Sequence, residues 1–380
     1  MAPDPQKIDV QVAPPGDLAA LARTWRALED RAAASFFQSW SWIGCWLEAL
    51  PAEARPDLLT ARADGETVGL ALLGRRNGRR HGILPVQGLY LNETGDPALD
   101  CLTVEYNGIL APPEIAERVA GACLAHLAEA EGGWDELHLG GVPTAYLDLA
   151  AGAGLLPRVV DIKPSPFVDL AELRAAGGDY LAGRSRNTRQ QLRRALRACE
   201  ADGPLRFEVA ADPATAASYF SDLETLHQAA WQARGQAGAF ANPFFAAFHR
   251  RLIETAFDRG EIQLARIAAG DAPLAFLYSF VRAGRVSFYQ GGLAYTDDAR
   301  RKPGLVAHYL AVLHNLEAGA DIYDFLAGDS RYKRSLATGS TDLLWGAAQK
   351  PRLKYRLEAL ARRLKASLRP PAERTPGGRG

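Results

Sequence analysis

A mixed α/β or α+β fold in more than one domain is what the sequence predicts, and three observations carry it. Helical periods and strand-like runs alternate along the whole chain with Gly and Pro between them, the pattern of helices layered on sheet. At 380 residues the chain exceeds one ordinary domain of about 150 residues, and with 48% hydrophobic residues it can fill a sizeable core. Finally, "APPEIAERVAGACLAHLAEAEGGWDELHLGG" and "RKPGLVAHYLAVLHNLEAGADIYDFLAGD" both run proline, helix, glycine, acidic-aromatic strand, terminal glycine. Either the halves are one fold used twice, or helix-turn-strand units simply look alike.

In chain order, apolar periodicity predicts helices over 17–30 and 39–50, strands over 66–74, 82–91 and 101–110, a helix over 113–131 and a strand over 134–140. A second half opens near 171, after the proline-bearing "DIKPSPFVDL", with a very basic helix over 184–197. "PLRFEVAA" reads as a strand, 213–231 and 242–259 as helices. "EIQLARIAAG", "APLAFLYSFVRAG" and "RVSFYQGGLAY" read as strands, 303–318 as a helix and "DIYDFLAGD" as a last strand.

Composition excludes several classes. Lys plus Arg and Asp plus Glu both number 44, so the surface as a whole is not built for nucleic acid. The four cysteines, Cys45, Cys101, Cys123 and Cys199, show no metal-ligand spacing and read as reduced thiols, so no metal is expected. "MAPDPQKIDVQVAPPGD" lacks the apolar stretch of a signal peptide, and no apolar run reaches the roughly 18 residues of a membrane span. The expectation is a soluble, cytoplasmic protein.

One stretch points to a ligand. In "DARRKPGLVAHYLAVLHN", Arg300, Arg301 and Lys302 stand directly before Pro303 and Gly304, where a helix begins. Proline suits the first helical position, the free N–H groups of the first turn carry the positive end of the macrodipole, and three cations reinforce it. A phosphate is the natural guest; a surface loop that happens to be basic is the competing reading.

Four segments in order, "RSRNTRQQLRR", "LHQAAWQARG", "YQGGLAYTDDARRKPG" and "YDFLAGDSRYKRSL", resemble the GNAT-like N-acyltransferases of the BioF2/CelD type, relatives of the Fem peptidyltransferases. The resemblance spans about 180–345, and "FFQSWSWIGCWLEAL" matches the same family's opening. It implies tandem GNAT-like domains, mixed sheets flanked by helices: 1–170, expected to lack a cofactor site because "NGILAPP" before its helix has no cation, and 171–349 as the acyltransferase, while leucine spacing and charge set 350–380 apart as a basic amphipathic helix and tail. In GNAT enzymes the pyrophosphate of acyl-CoA sits on a loop written Q/R-x-x-G-x-G/A. Arg301, Gly304 and Val306 occupy those places here, with Arg300, Lys302 and Leu305 beside them. Val306 departs from the small residue of the pattern, and its branched side chain is expected to hinder the closest approach of phosphate.

Thioester chemistry and the placement of polar residues at strand ends then suggest roles. Tyr289, Gln290 and Gly291, with Gly292, would offer strand N–H groups to the donor's pantetheine amides and to the oxyanion. Tyr332 would give a proton to the leaving thiolate, and Asp324 or Asp329 would act as base or orient the amine. Lys333 would touch phosphate or neutralise those acids; a salt-bridge knot at a turn is the competing reading of "GDSRYK". The family's aromatic residue just beyond this lysine is Leu336 here. His227 and Trp231, one helical turn apart, would wall the acceptor site or form a packed core pair. Gln38 and Trp42 in the opening segment fall on the acceptor side.

The function implied is transfer of an acetyl or other acyl group from acyl-CoA, a co-substrate, to an amine. The family's exopolysaccharide setting implies an amino sugar, sugar nucleotide or lipid-linked saccharide as acceptor. Two other readings stand: a Fem-like aminoacyltransferase fed by aminoacyl-tRNA, and a degenerate GNAT fold acting as a nucleotide- or membrane-responsive effector. Leu353, Leu357, Leu360, Leu364 and Leu368 form a stripe within a basic stretch, suited to an anionic membrane surface at the inner face or to the protein's own core. The arginine-rich helix equally suits phosphates, a regulatory nucleotide or water.

Overall fold

Twelve strands join in one mixed sheet in the computed structural model, which describes residues 7–80 and 83–355. The first half supplies β1 (Ile8–Ala13), β2 (Asp57–Ala63), β3 (Glu66–Arg80), β4 (Leu84–Leu91), β5 (Glu136–Pro143) and β6 (Leu156–Asp169). The second half supplies β7 (Leu205–Val209), β8 (Ile262–Ala269), β9 (Ala272–Arg282), β10 (Arg285–Leu293), β11 (Ile322–Asp324) and β12 (Gly339–Gln349). The helices are α1 (Leu18–Glu29), α2 (Trp40–Ala49), α3 (Ala116–Glu129), α4 (Tyr146–Gly152), α5 (Leu170–Ala175), α6 (Arg186–Glu200), α7 (Pro213–Gln232), α8 (Pro243–Ala256), α9 (Pro303–Glu317) and α10 (Arg331–Leu336).

The two halves repeat one topology. β1 to β4 form an antiparallel meander and β5 joins β4 in parallel; β7 to β10 and β11 do the same. Their last strands are exchanged. β12 pairs with β5, β6 pairs with β11, and β6 and β12 pair with each other at the centre. The internal parallel seen in the sequence is therefore a repeat of fold, the tandem GNAT-like arrangement.

β6 is absent from the sequence reading because it carries three prolines. Pro164 and Pro166 accept from the N–H groups of Gly328 and Phe325, on the β11 side. A residue's N and C=O point to the same side of a strand, so the missing donors face a neighbour only three residues long. At these two positions the ladder to β12 loses no donor. The strand expected over 101–110 is a loop with a single bridge, Leu110 to Leu70.

Three apolar clusters hold the layers together, one under each half and a third, aromatic one shared between them. In the shared cluster Trp42 of α2 meets Phe248 of α8 edge-on at 4.9 Å. The cysteines are free; Cys45, Cys123 and Cys199 are buried. Among the described residues, no helix is long and apolar enough to cross a membrane. Of the basic leucine stripe only Leu353 is described, and it is exposed; everything beyond Tyr355 lies outside the described residues.

Candidate functional site

The long helices α1, α2, α6, α7 and α8 are each capped by a side chain, from Asp17, Ser39, Ser185, Asp212 and Asn242. Helices α9 and α3, which hold equivalent places in the two halves, start without one. At α9 the start opens on a cavity of about 680 Å³. Arg301, Lys302, Gly304 and Leu305 line it, and the first turns of α6 add Asn187, Thr188 and Gln191. Arg301 is held by Asp202 at 2.5 Å, and the Lys302 ammonium donates to Gln191 at 3.1 Å. Arg300 turns away to clasp Asp298 at 2.8 Å. Val306 is wholly buried in the core, so its branch does not crowd the loop as the sequence leads one to expect.

The second wall is the edge of β10. It pairs with β11 only over Arg285–Ser287, and a bulge between Phe288 and Gln290 then turns it along β9 alone. Past that point Phe288, Gln290, Gly291 and Leu293 face the cavity. The Gly291 N–H donates to the Gln290 side-chain oxygen at 3.1 Å, a contact that rotation of Gln290 would release to a ligand amide. Gly292 serves packing instead. A Cβ there would lie 2.5 Å from the Leu223 carbonyl, so only glycine lets α7 cross β10 this closely. Tyr289 points into the shared aromatic cluster, with its ring 4.9 Å from those of His249 and Phe280.

Tyr332 closes the far end. Its ring lies 5.2 Å from His308, nearly parallel, and meets Phe325 edge-on. Burial pushes the phenol up to about 12, so it keeps its proton at neutral pH. His308, which the sequence reading passes over, lines the cavity one turn into α9 and hydrogen-bonds the Tyr323 hydroxyl at 2.9 Å. Burial, aided by the nearby Lys333 charge, pushes it down to about 3 and keeps it neutral.

The carboxylates lie elsewhere. Asp324 is fully buried between the halves, accepting from Tyr106 at 2.6 Å, Ser165 at 3.2 Å and the Leu326 N–H at 2.7 Å, and pairing with Arg285. Burial outweighs the Arg285 charge and raises its pKa. Asp329 is exposed and paired with Arg334. The Lys333 ammonium donates to the Leu326 and Ala327 carbonyls, both at 2.9 Å. Glu105, 5% exposed, accepts from the Ala327 N–H at 2.6 Å. Together Lys333 and Glu105 clamp the loop that carries α10, and Tyr332 with it. Among the described residues no carboxylate lines the cavity. Among the described residues no group of His, Cys, Asp and Glu is placed to hold a metal.

Of the four acceptor-side candidates, His227 and Trp231 reach the cavity. His227 is wedged against backbone, 3.4 Å from the Gly291 carbonyl and 3.4 Å from the Ala239 N–H, and burial lowers its pKa. Trp42 is buried in the shared aromatic cluster. Gln38 lines a second cavity, of about 640 Å³, beside the start of α3.

Residues 186–334, from α6 into α10, match the family model described as an acetyltransferase (GNAT) domain. No curated protein matches the chain by sequence. Among solved structures, the C-terminal domain of a protein named as a lysylphosphatidylglycerol synthetase from Agrobacterium fabrum is similar at 14% identity, over 93% of this chain and 97% of that one, with a TM-score of 0.51. The L-PGS of Bacillus licheniformis is similar at 11% identity over 94% and 99%, TM-score 0.50. A tandem GNAT protein from the clavulanic acid biosynthesis pathway is similar at 13% identity over 91% and 99%, TM-score 0.47.

Proposed function

We propose that this chain is an N-acyltransferase that moves an acetyl or other acyl group from acyl-CoA to an amine. The observation that carries the reading is a convergence. An uncapped helix start with Arg301 and Lys302, the free edge of β10 and Tyr332 all line one cavity in the segment that matches the GNAT family. Each supplies what a thioester donor needs. The α9 start suits a diphosphate. The β10 edge suits pantetheine amides. A protonated phenol suits a leaving thiolate. In the reaction the amine nitrogen bonds to the thioester carbon, the C–S bond breaks, Tyr332 protonates the sulfur, and solvent takes the amine's proton and restores the phenol.

The acceptor we assign is an amino sugar of a surface polysaccharide, on the family resemblance alone; the basic stretch from residue 350 would then bring the chain to an anionic membrane surface. The test is acetyl-CoA binding by calorimetry, parent against Arg301→Ala. Binding that the substitution weakens is expected. If neither protein binds, the CoA reading falls. Charged tRNA, whose binding would weaken steeply with salt, is then the donor to try, ahead of a regulatory nucleotide on an inactive fold.

A further inference from the structure

Among the described residues the cavity is lined by four cations, Arg234, Arg301, Lys302 and Arg331, and by no acid. Three acids that pair with the cations of these segments are absent from its lining: Asp202 with Arg301, Asp298 with Arg300, and Asp329 with Arg334. Arg301 and Lys302 belong to the α9 start, where a donor diphosphate is accommodated. That leaves Arg234 and Arg331, from α7's end and α10's first turn, with no carboxylate partner among the described residues. Arg234 is set for recognition. Its guanidinium lies over the rings of Trp231 at 6.0 Å and Tyr295 at 5.7 Å, and it touches the Tyr295 hydroxyl at 3.4 Å. Stacking of this kind fixes the plane of the fork and leaves its N–H groups for an anion. Arg331 immediately precedes Tyr332, and Tyr295, the ring under Arg234, is near enough to Tyr332 to act on its phenol, which ties both cations to the reacting end.

We propose that the acceptor carries an anionic group of its own, a phosphate or carboxylate, which Arg234 and Arg331 receive while α9 keeps the donor. The inference rests on the acyltransferase reading of this cavity. A positive cavity with no acid repels polyamines and lysine side chains, whose charge is wholly cationic, and admits an amine whose molecule brings compensating charge. It also disfavours the ammonium form of that amine near the thioester, which promotes the neutral nucleophile without a carboxylate base.

The test first establishes acetyl-CoA binding and then, with CoA saturating, compares dissociation constants in two arms. One sets glucosamine 6-phosphate against glucosamine; the other sets L-alanine against L-alaninamide. The arms separate a phosphate-bearing from a carboxylate-bearing acceptor. Expected is at least a roughly tenfold preference for the anionic member of one pair, the scale of a charge-assisted contact. Arg234→Gln with Arg331→Gln should abolish it while leaving CoA affinity and thermal midpoint unchanged. Equal binding within both pairs overturns the proposal, as does a preference that survives the double substitution, or no binding of either anionic amine up to about 10 mM. If CoA fails to bind yet an anionic preference appears and is lost in the double variant, the donor reading falls and the anion station stands.

Discussion

Replacing Glu105 with glutamine should remove a pH-dependent share of stability whose size follows from its surroundings. Glu105 is buried where the two halves meet and is taken out of water without an ion-pair contact of its own. Burial raises its pKa from 4.5 to about 7; the Ala327 N–H opposes the rise, the Asp324 charge adds to it, and Lys333 opposes it. Between about pH 4.5 and about pH 7 the folded chain therefore keeps a proton that the unfolded chain releases, and stability falls as pH rises through that window. A shift of this size corresponds to on the order of 3 kcal/mol, present in full below about pH 4.5 and lost above about pH 7. Glutamine keeps an oxygen for the Ala327 N–H but cannot titrate. Urea unfolding of parent and Glu105→Gln at intervals from about pH 5 to about pH 8 should show the parent losing ground to the variant steadily with pH. Glu93, a buried acid whose shift comes from burial and Asp100, tilts both curves alike, so the difference reports Glu105 together with its coupling to Asp324. A difference that stays flat across the range refutes the reasoning.

Two further outcomes are expected. Tyr332→Phe keeps the ring on His308 and removes only the hydroxyl, so kcat should fall roughly a hundredfold with acetyl-CoA affinity intact; an unchanged kcat in a steady-state thiol-release assay would remove Tyr332 from the chemistry. Asn107→Ala should cost about 2–3 kcal/mol in urea unfolding, because the Leu91 and Gly140 carbonyls lose their side-chain donor in the interior.

What the sequence reveals and conceals has physical causes. Helix α9 is legible because a first-turn proline, adjacent cations and apolar periodicity agree. His308 lies one turn beyond Gly304 in the same stretch, and that spacing is the signal by which it could be found. Arg234 and Arg331 stand in "LHQAAWQARG" and "GDSRYKRSL", yet only the tertiary fold shows that no acid accompanies them. The central strands β6 and β12 are the least legible. Prolines disguise β6, Gly and Ala dilute β12, and each owes its place to a partner in the other half. "CLTVEYNGIL" errs the other way: it has strand composition, but Tyr106 takes a left-handed conformation, φ 49°, and Asn107 spends its side chain across the gap between two other strands.

That gap explains why a duplicated fold presents two unlike cavities. In both halves a parallel strand pair parts after three residues, β4 from β5 past Tyr90 and His138, β10 from β11 past Ser287 and Asp324. In the second half the parting leaves the β10 edge open to the cavity. In the first half the chain fills it. Asn107 donates from its side chain to Leu91 at 2.9 Å and Gly140 at 3.0 Å, and from its backbone to Gly141 at 2.9 Å, while Asn92 braces it at 2.7 Å. The companion features follow suit. Tyr146, which opens α4 much as Tyr332 opens α10, has its hydroxyl occupied by the Ile109 N–H. The turn leading into α3 carries Glu114 and the first turn of α3 carries Glu117, so a phosphate there would meet acids where α9 offers cations. The loop of 101–110 thus does for the first half what a pantetheine arm would do for the second: it pairs the strand edges that the splay exposes.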